Sequence, residues 1–210
     1  MKYAKYFLIM PILCLAFLTA AGCALGVLFV PDPRALVHAE YKIPKGSKVA
    51  ILIDDDLSPL PSATMKAELA KKIMDKLISS KAIKDYQAIK YEKVKRVATK
   101  VFGNKKISIK KVGELVNADY VIYINIIEFN LQSEADNPLI KPIARAYVKV
   151  IETKTGNRVW PVSFVGKEVL ATKRMASELI SSPKRSEYNE KLLSALAEQI
   201  AWLFIDHREG

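Results

Sequence analysis

The side chains in this sequence that could do chemistry are few and scattered. Asp54-Asp55-Asp56 is the only acidic cluster, and it follows an apolar run where a strand should end. That position is where open α/β sheets hold ligands. A Mg²⁺ or Ca²⁺ site would need oxygen ligands from more than one segment. Adjacent aspartates on an extended chain point in alternate directions, so the triplet also reads as a solvated loop placing negative charge at a helix N-terminus. The two histidines are His38 and His207, with no cysteine or hydroxyl nucleophile patterned beside either. The ligand spacings of a zinc site are absent from the sequence. Pro44-Lys45-Gly46-Ser47-Lys48 lacks the second glycine and the Gly-Lys-Ser order of a phosphate loop. These residues imply no catalytic centre, no metal and no cofactor.

The strongest charge feature is basic. Lys90, Lys93, Lys95, Arg96, Lys100, Lys105, Lys106, Lys110 and Lys111 fall in one stretch against Glu92 alone. Such a run is either a solvated helix face or a surface for anionic lipid, anionic glycan or an acidic protein, worth about 1 kcal/mol per cation close to an anionic bilayer. No stacking-aromatic motif accompanies it, which disfavours nucleic acid. The formal net charge of the chain is +11.

Cys14 and Cys23 are the only cysteines, and both lie in the first 30 residues. Lys2 and Lys5 precede an uncharged run from Tyr6 to Pro31 that contains Leu18-Thr19-Ala20-Ala21-Gly22-Cys23. Basic residues, an apolar core and small residues before a site make an export signal. A cysteine directly after Ala-Ala-Gly resembles the lipobox of a bacterial lipoprotein. The resemblance implies cleavage before Cys23, acylation of Cys23, and a chain held by lipid on the far side of the inner membrane. The same run would also serve as an uncleaved membrane helix, since about 20 apolar residues span a bilayer, or as a simple cleaved signal. All three orient the chain identically, because Lys2 and Lys5 stay inside. Ala24 after the cysteine, in place of aspartate, favours the outer over the inner membrane under the sorting rule of some bacteria. Residues 1–22 are thus the expected signal, 23–47 a lipidated N-terminus and tether, and 48–208 one domain. That domain contains no cysteine, so its stability must come from its core.

Periodicity supplies the elements. Lys48 to Asp54 is a short apolar strand, buried on both faces. A helix from about Ser62 to Ser80 carries a stripe of Leu69, Ala70, Ile73, Met74, Leu77 and Ile78, with Ser62 or Thr64 as its cap. Tyr86 to Val94 alternates and predicts a second strand, with a short helix after it to Lys100. Ser108 to Asn117 predicts a helix with Ile109, Val112, Leu115 and Val116 inward. Tyr120 to Leu131 is the strongest strand, apolar on both faces in its first half. Ile143 to Ile151 alternates, Thr153 to Asn157 signals a tight turn, and Arg158 to Phe164 predicts a returning strand with Trp160, Val162 and Phe164 on one face. Pro161 marks that strand as an edge or a bulge. Ser186 to about Arg208 is a long amphipathic helix. This order predicts an α/β (α+β) domain: a mixed sheet of about five strands with an antiparallel C-terminal meander, helices packed on it, and a long C-terminal helix.

Three segments carry a family likeness: the Val49-Ala-Ile-Leu strand with its striped helix, Val112-Gly-Glu-Leu-Val-Asn-Ala-Asp-Tyr-Val-Ile122, and Val148-Lys-Val-Ile-Glu-Thr-Lys-Thr-Gly-Asn-Arg-Val-Trp160. Together they resemble a group of bacterial envelope domains that includes the N-terminal domain of the translocation protein TolB, the curli secretion channel subunit, and the outer-membrane lipoprotein activators of penicillin-binding proteins. The resemblance covers about Lys48 to Arg208. It implies a tethered, non-enzymatic binding or assembly module in the periplasm, with an envelope protein as partner and self-association left open. Departures from the group's patterns mean that neither pore formation nor synthase activation carries over. The segments expected here are too short for a curli-type barrel hairpin, and the tether after Cys23 is shorter than the linker of the synthase activators. The alternative function is a peripheral module that binds anionic lipid or glycan through Lys90 to Lys111.

Overall fold

A computed structural model of the chain describes residues 35–55, 57, 60–62, 64–102, 108–134, 137–172 and 182–208. Contacts divide the chain into a unit of Met1–Leu36 with Arg208–Gly210 and a unit of Val37–His207. The second unit holds every element named below. In chain order these are β1 (Val49–Asp54), α1 (Met65–Ser79), α2 (Tyr91–Phe102), α3 (Ile109–Val116), β2 (Tyr120–Glu134), β3 (Asn137–Glu152), β4 (Arg158–Trp160), β5 (Lys167–Thr172) and α4 (Ser182–Trp202). The mixed α/β architecture is the expected one. The sheet runs β1-β2-β3-β4, with β5 also on β3; β1 and β2 are parallel and the remaining pairs antiparallel.

Two cores form because β1 and the start of β2 are apolar on both faces. Val49, Ile51 and Ile53 join Ile122 and Ile124 against α1 and α4, with Leu69, Ile73, Leu77, Leu192, Leu196 and Ile200 opposite. Ala50, Leu52 and Val121 face the other way, onto Val94 and Ala98 of α2 and Val112 and Val116 of α3. Further along the sheet, the alternation Ala144, Ala146, Val148, Val150 continues the first core.

The turn from α3 into β2 sets how these layers meet. Ser108 caps α3, its hydroxyl accepting the Lys111 N–H. Asn117 ends the helix in the left-handed conformation at φ 59°, a position that favours glycine or asparagine. Asp119 then ties three strands together. Its carboxylate accepts the Lys48 N–H at 2.7 Å. Its N–H donates to the Lys48 carbonyl at 2.8 Å, and its carbonyl accepts the Thr153 N–H at 2.8 Å.

The structure corrects several expectations. Tyr86–Val94 is not a strand. It is a 3₁₀ turn at Asp85–Gln87, a single parallel bridge between Ala88 and Val49, and then the first turn of α2. Tyr91, Val94 and Ala98 fall at i, i+3 and i+7, so helical period wins over the apparent alternation. Leu115 is 43% exposed where it was expected inside. Helix α1 starts at Met65, and neither Ser62 nor Thr64 caps it by side chain; their hydroxyls bond to each other at 2.8 Å. The strand after the turn stops at Trp160, because Pro161 has no N–H to continue the ladder. Val162 and Phe164 therefore leave the expected face and stand 98% and 83% exposed. Lys167–Thr172, which sequence reasoning missed, takes the next place on the edge of β3. Helix α4 ends at Trp202 instead of Arg208, and β2 and β3 run longer than expected, at 15 and 16 residues.

Gly113 lies where α3 presses on the sheet, and a methyl group there would overlap Thr153 and Val121. An alanine would gain about 1 kcal/mol in helix propensity. Overpacking should exceed that gain, so Gly113→Ala is expected to lower stability by about 1–3 kcal/mol, measured by urea or thermal unfolding.

Candidate functional site: a groove beside β1

β1 is an edge strand, and Ala88 covers that edge at one point, where the Ile89 N–H donates to the Val49 carbonyl at 2.8 Å. Ile51, two residues further along β1, is buried beside this bridge. A groove of about 450 Å³ opens there. Ile51 forms its floor. Ala67, Ala70, Met74 and Ile78 of α1 make one wall, and Ala88, Ile89 and Tyr91 the other. Glu68, Lys71, Asp75, Asp85, Lys90 and Glu92 form a mixed-charge rim. On that rim Lys71 donates to Asp75 at 2.7 Å, a bond that raises the lysine's pKa. An apolar trough with a charged border suits an apolar peptide segment bearing its own charges.

The wall has a simple origin. The apolar stripe of α1 is wider than the core needs. Leu69, Ile73 and Leu77 are fully buried; Met74, also buried, and Ile78, half-buried, lie at the flank of the stripe and border the groove. The stripe was legible in the sequence, but its division between core and groove was not. Tyr91 was missed as a site residue because it was read as part of a strand.

The first two aspartates of the acidic triplet serve different neighbours. The Tyr123 hydroxyl donates to Asp54 at 2.7 Å. Asp55 is buried, forms an ion pair with Lys66 of α1, and accepts the Leu60 N–H at 3.1 Å. Asp56 lies outside the described residues. Among the described residues, no three His, Cys, Asp or Glu side chains are grouped to hold a metal ion. Asp55 also acts on the groove: burial pushes the Tyr91 phenol up to about 12, with the Asp55 and Glu92 carboxylates adding to the shift.

The histidines are not brought to a common site. His38 lies 3.5 Å from Asp206, whose carboxyl is held below its usual range chiefly by the Ala39 N–H. His207 stacks on Trp202 with ring centroids 4.4 Å apart. Of the basic run, Lys93 turns to a structural task, donating to the Val116 carbonyl at the end of α3 at 2.7 Å. Lys90, Lys95, Arg96, Lys100 and Lys110 are exposed, and among the described residues none has a carboxylate partner within ion-pair distance. Lys111 pairs with Glu114 at 3.2 Å. Lys105, Lys106 and Cys23 lie outside the described residues.

No family model and no curated protein matches this sequence. Solved structures similar to the chain include bacterial lipoproteins. A PelC dodecamer from Paraburkholderia phytofirmans is 15% identical, covering 82% of this chain and 97% of that one, with a TM-score of 0.46. The hypothetical protein CT253 from Chlamydia trachomatis is 18% identical over 75% and 89%, with a TM-score of 0.45. Lipoprotein GNA1162 from Neisseria meningitidis is 16% identical over 75% and 99%, with a TM-score of 0.42.

The raised phenol gives a test of the groove. Its pKa in the folded chain lies above the ordinary 10.0. The associated stability is intact below pH 10 and is lost as pH rises through that value toward about 12. Burial raises the Tyr41 phenol as well; alkaline titration followed by ultraviolet absorbance should therefore show late-titrating tyrosines with Tyr91 the last of them, and Tyr91→Phe should remove the component near 12 and flatten the stability curve above pH 10.

Proposed function

We propose that this chain is a membrane-anchored envelope lipoprotein, acylated at Cys23, that works without catalysis as a protein-binding or assembly module on the periplasmic side, at the outer rather than the inner membrane. The observation that carries the binding role is the apolar groove between α1 and the segment leading into α2, with Ile51 in its lining. Its occupant is an apolar segment of another envelope protein. The groove shape supports a peptide: its walls are apolar and its rim offers both signs of charge. The anchor is supported by the lysines, apolar run and Ala-Ala-Gly-Cys sequence of the first 23 residues.

The test uses the full chain in cells. A photo-crosslinking residue at Lys71, on the rim, is expected to give one discrete adduct. Ala67→Trp fills the trough from a half-buried position and should abolish that adduct while circular dichroism stays unchanged. An adduct that survives the filled groove would overturn this reading.

A second surface supports the alternative of an anionic lipid or glycan partner. α2 and α3 lie side by side on one face of the sheet, and the exposed cations named above stand on this layer. Replacing Lys95 and Arg96 together by glutamate should reverse salt-sensitive sedimentation with anionic vesicles or sacculi and leave the Lys71 adduct intact. Unchanged sedimentation would remove the basic layer from consideration.

A further inference from the structure

Residues 161–166 form a loop between β4 and β5 that presents its apolar side chains outward. Val162 is 98% exposed, Phe164 83% and Val165 51%. The loop is pinned all the same. Arg158 Nη2 donates to the Val162 carbonyl at 3.0 Å. Gly166, at φ 116°, lies so close to β3 that a Cβ there would sit 3.0 Å from the Val148 carbonyl oxygen. Trp160 at its start is fixed against Tyr41 and Phe204, with centroids 6.1 and 5.8 Å away. A fixed backbone that holds a valine and a phenylalanine in water marks a contact surface.

Two further observations say what it contacts. Lys149 and Arg158 both stand over the Phe164 ring, 5.4 and 5.5 Å from its centroid, and among the described residues neither has a carboxylate partner. Burial and the neighbouring Arg158 lower the Lys149 pKa, a pressure that an anion between them would relieve. The chain arriving from Cys23 also lands on both feet of this loop: Tyr41 packs on Trp160, and Glu40 pairs with Lys167 at 2.6 Å. Sixteen residues lie between Cys23 and Glu40, and the seventeen steps reach at most about 60 Å. The lipid end of the tether therefore stays within that distance of the loop.

We infer that Val162, Phe164 and Val165 enter the headgroup region of the bilayer that holds the lipid anchor, with Lys149 and Arg158 binding anionic phosphate beside them. This rests on the lipoprotein reading and adds a second contact to it. A phenylalanine between two cations suits that interface, where apolar rings sink beneath the headgroups and guanidinium and ammonium groups meet phosphate.

The mature chain has no cysteine except the acylated Cys23, so a single label can be placed cleanly. The full-length, lipidated protein carrying Val162→Cys is labelled with an environment-sensitive fluorophore and reconstituted into vesicles of phosphatidylethanolamine and phosphatidylglycerol. Lys95→Cys serves as the second site, and intact mass reports the lipid on Cys23. The expected result is a blue-shifted emission at position 162, quenched by shallow nitroxide lipids and lost when Lys149 and Arg158 are both changed to glutamate, with water-like emission at position 95. An acylated protein whose label at 162 stays water-like overturns the proposal and leaves the anchor standing. A shift at 95 alone overturns it in favour of the basic helices. A shift at 162 that grows with protein concentration in detergent, before vesicles are added, overturns it in favour of a second copy of the chain. A mass without lipid overturns the anchor reading and this inference with it.

Discussion

Asp119 holds the register on which the rest of the fold depends. β1 and the start of β2 are apolar on both faces, so inside-outside alternation cannot by itself fix their alignment. A polar clamp does so. The Asp119 carboxylate and amide take both backbone groups of Lys48, and its carbonyl takes the amide of Thr153, so three strands are aligned at one residue. Asn117 in the left-handed conformation lets the chain leave α3 and reach this point within two residues. The register in turn sends Val49, Ile51 and Ile53 to one core and Ala50 and Leu52 to the other. The smaller set faces the short helices α2 and α3, and the larger faces α1 and α4.

Both candidate surfaces arise where this arrangement runs out of cover. On the β1 side, α1 and the segment from Asp85 to Glu92 leave a groove beside the bridge at Ala88. On the far side, Pro161 stops β4 after three residues, and the chain must pass over a short loop before β5 can pair. The apolar residues of that loop have no layer above them. Edges are the part of a sheet that a protein must cover or use, and here the two edges carry different chemistry. One is a trough with charges of both signs. The other is a protruding apolar tip flanked by cations.

The basic residues illustrate how tertiary structure sorts a charge run. In the sequence Lys90 to Lys111 is one feature. In the fold Lys93 reaches the carbonyl end of α3, Lys111 pairs with Glu114, Lys90 joins the groove rim, and Lys95, Arg96 and Lys100 remain on the outer face of α2. The acidic triplet divides likewise, since Asp54 and Asp55 hold a tyrosine and a lysine on different elements.

By itself the sequence determined what depends on local pattern. The striped α1, the doubly apolar β1 and β2, the Asn-Ala-Asp junction, the Thr-Gly turn and the fold class follow from period, caps and turn chemistry within a few residues of one another. It also marked the cationic stretch. Tertiary structure alone decided what depends on residues far apart. Tyr86 to Val94 alternated like a strand, but packing against β1 selected the helical stripe of Tyr91, Val94 and Ala98. Lys167–Thr172 carried only Val169 and Ala171 inward, too weak a signal until β3 offered it an edge. Ile78 looked fully buried because a stripe shows which face is apolar, not how much of that face a neighbour will cover. Val162 and Phe164 looked buried because alternation assumes an unbroken ladder, and one missing amide at Pro161 ended it.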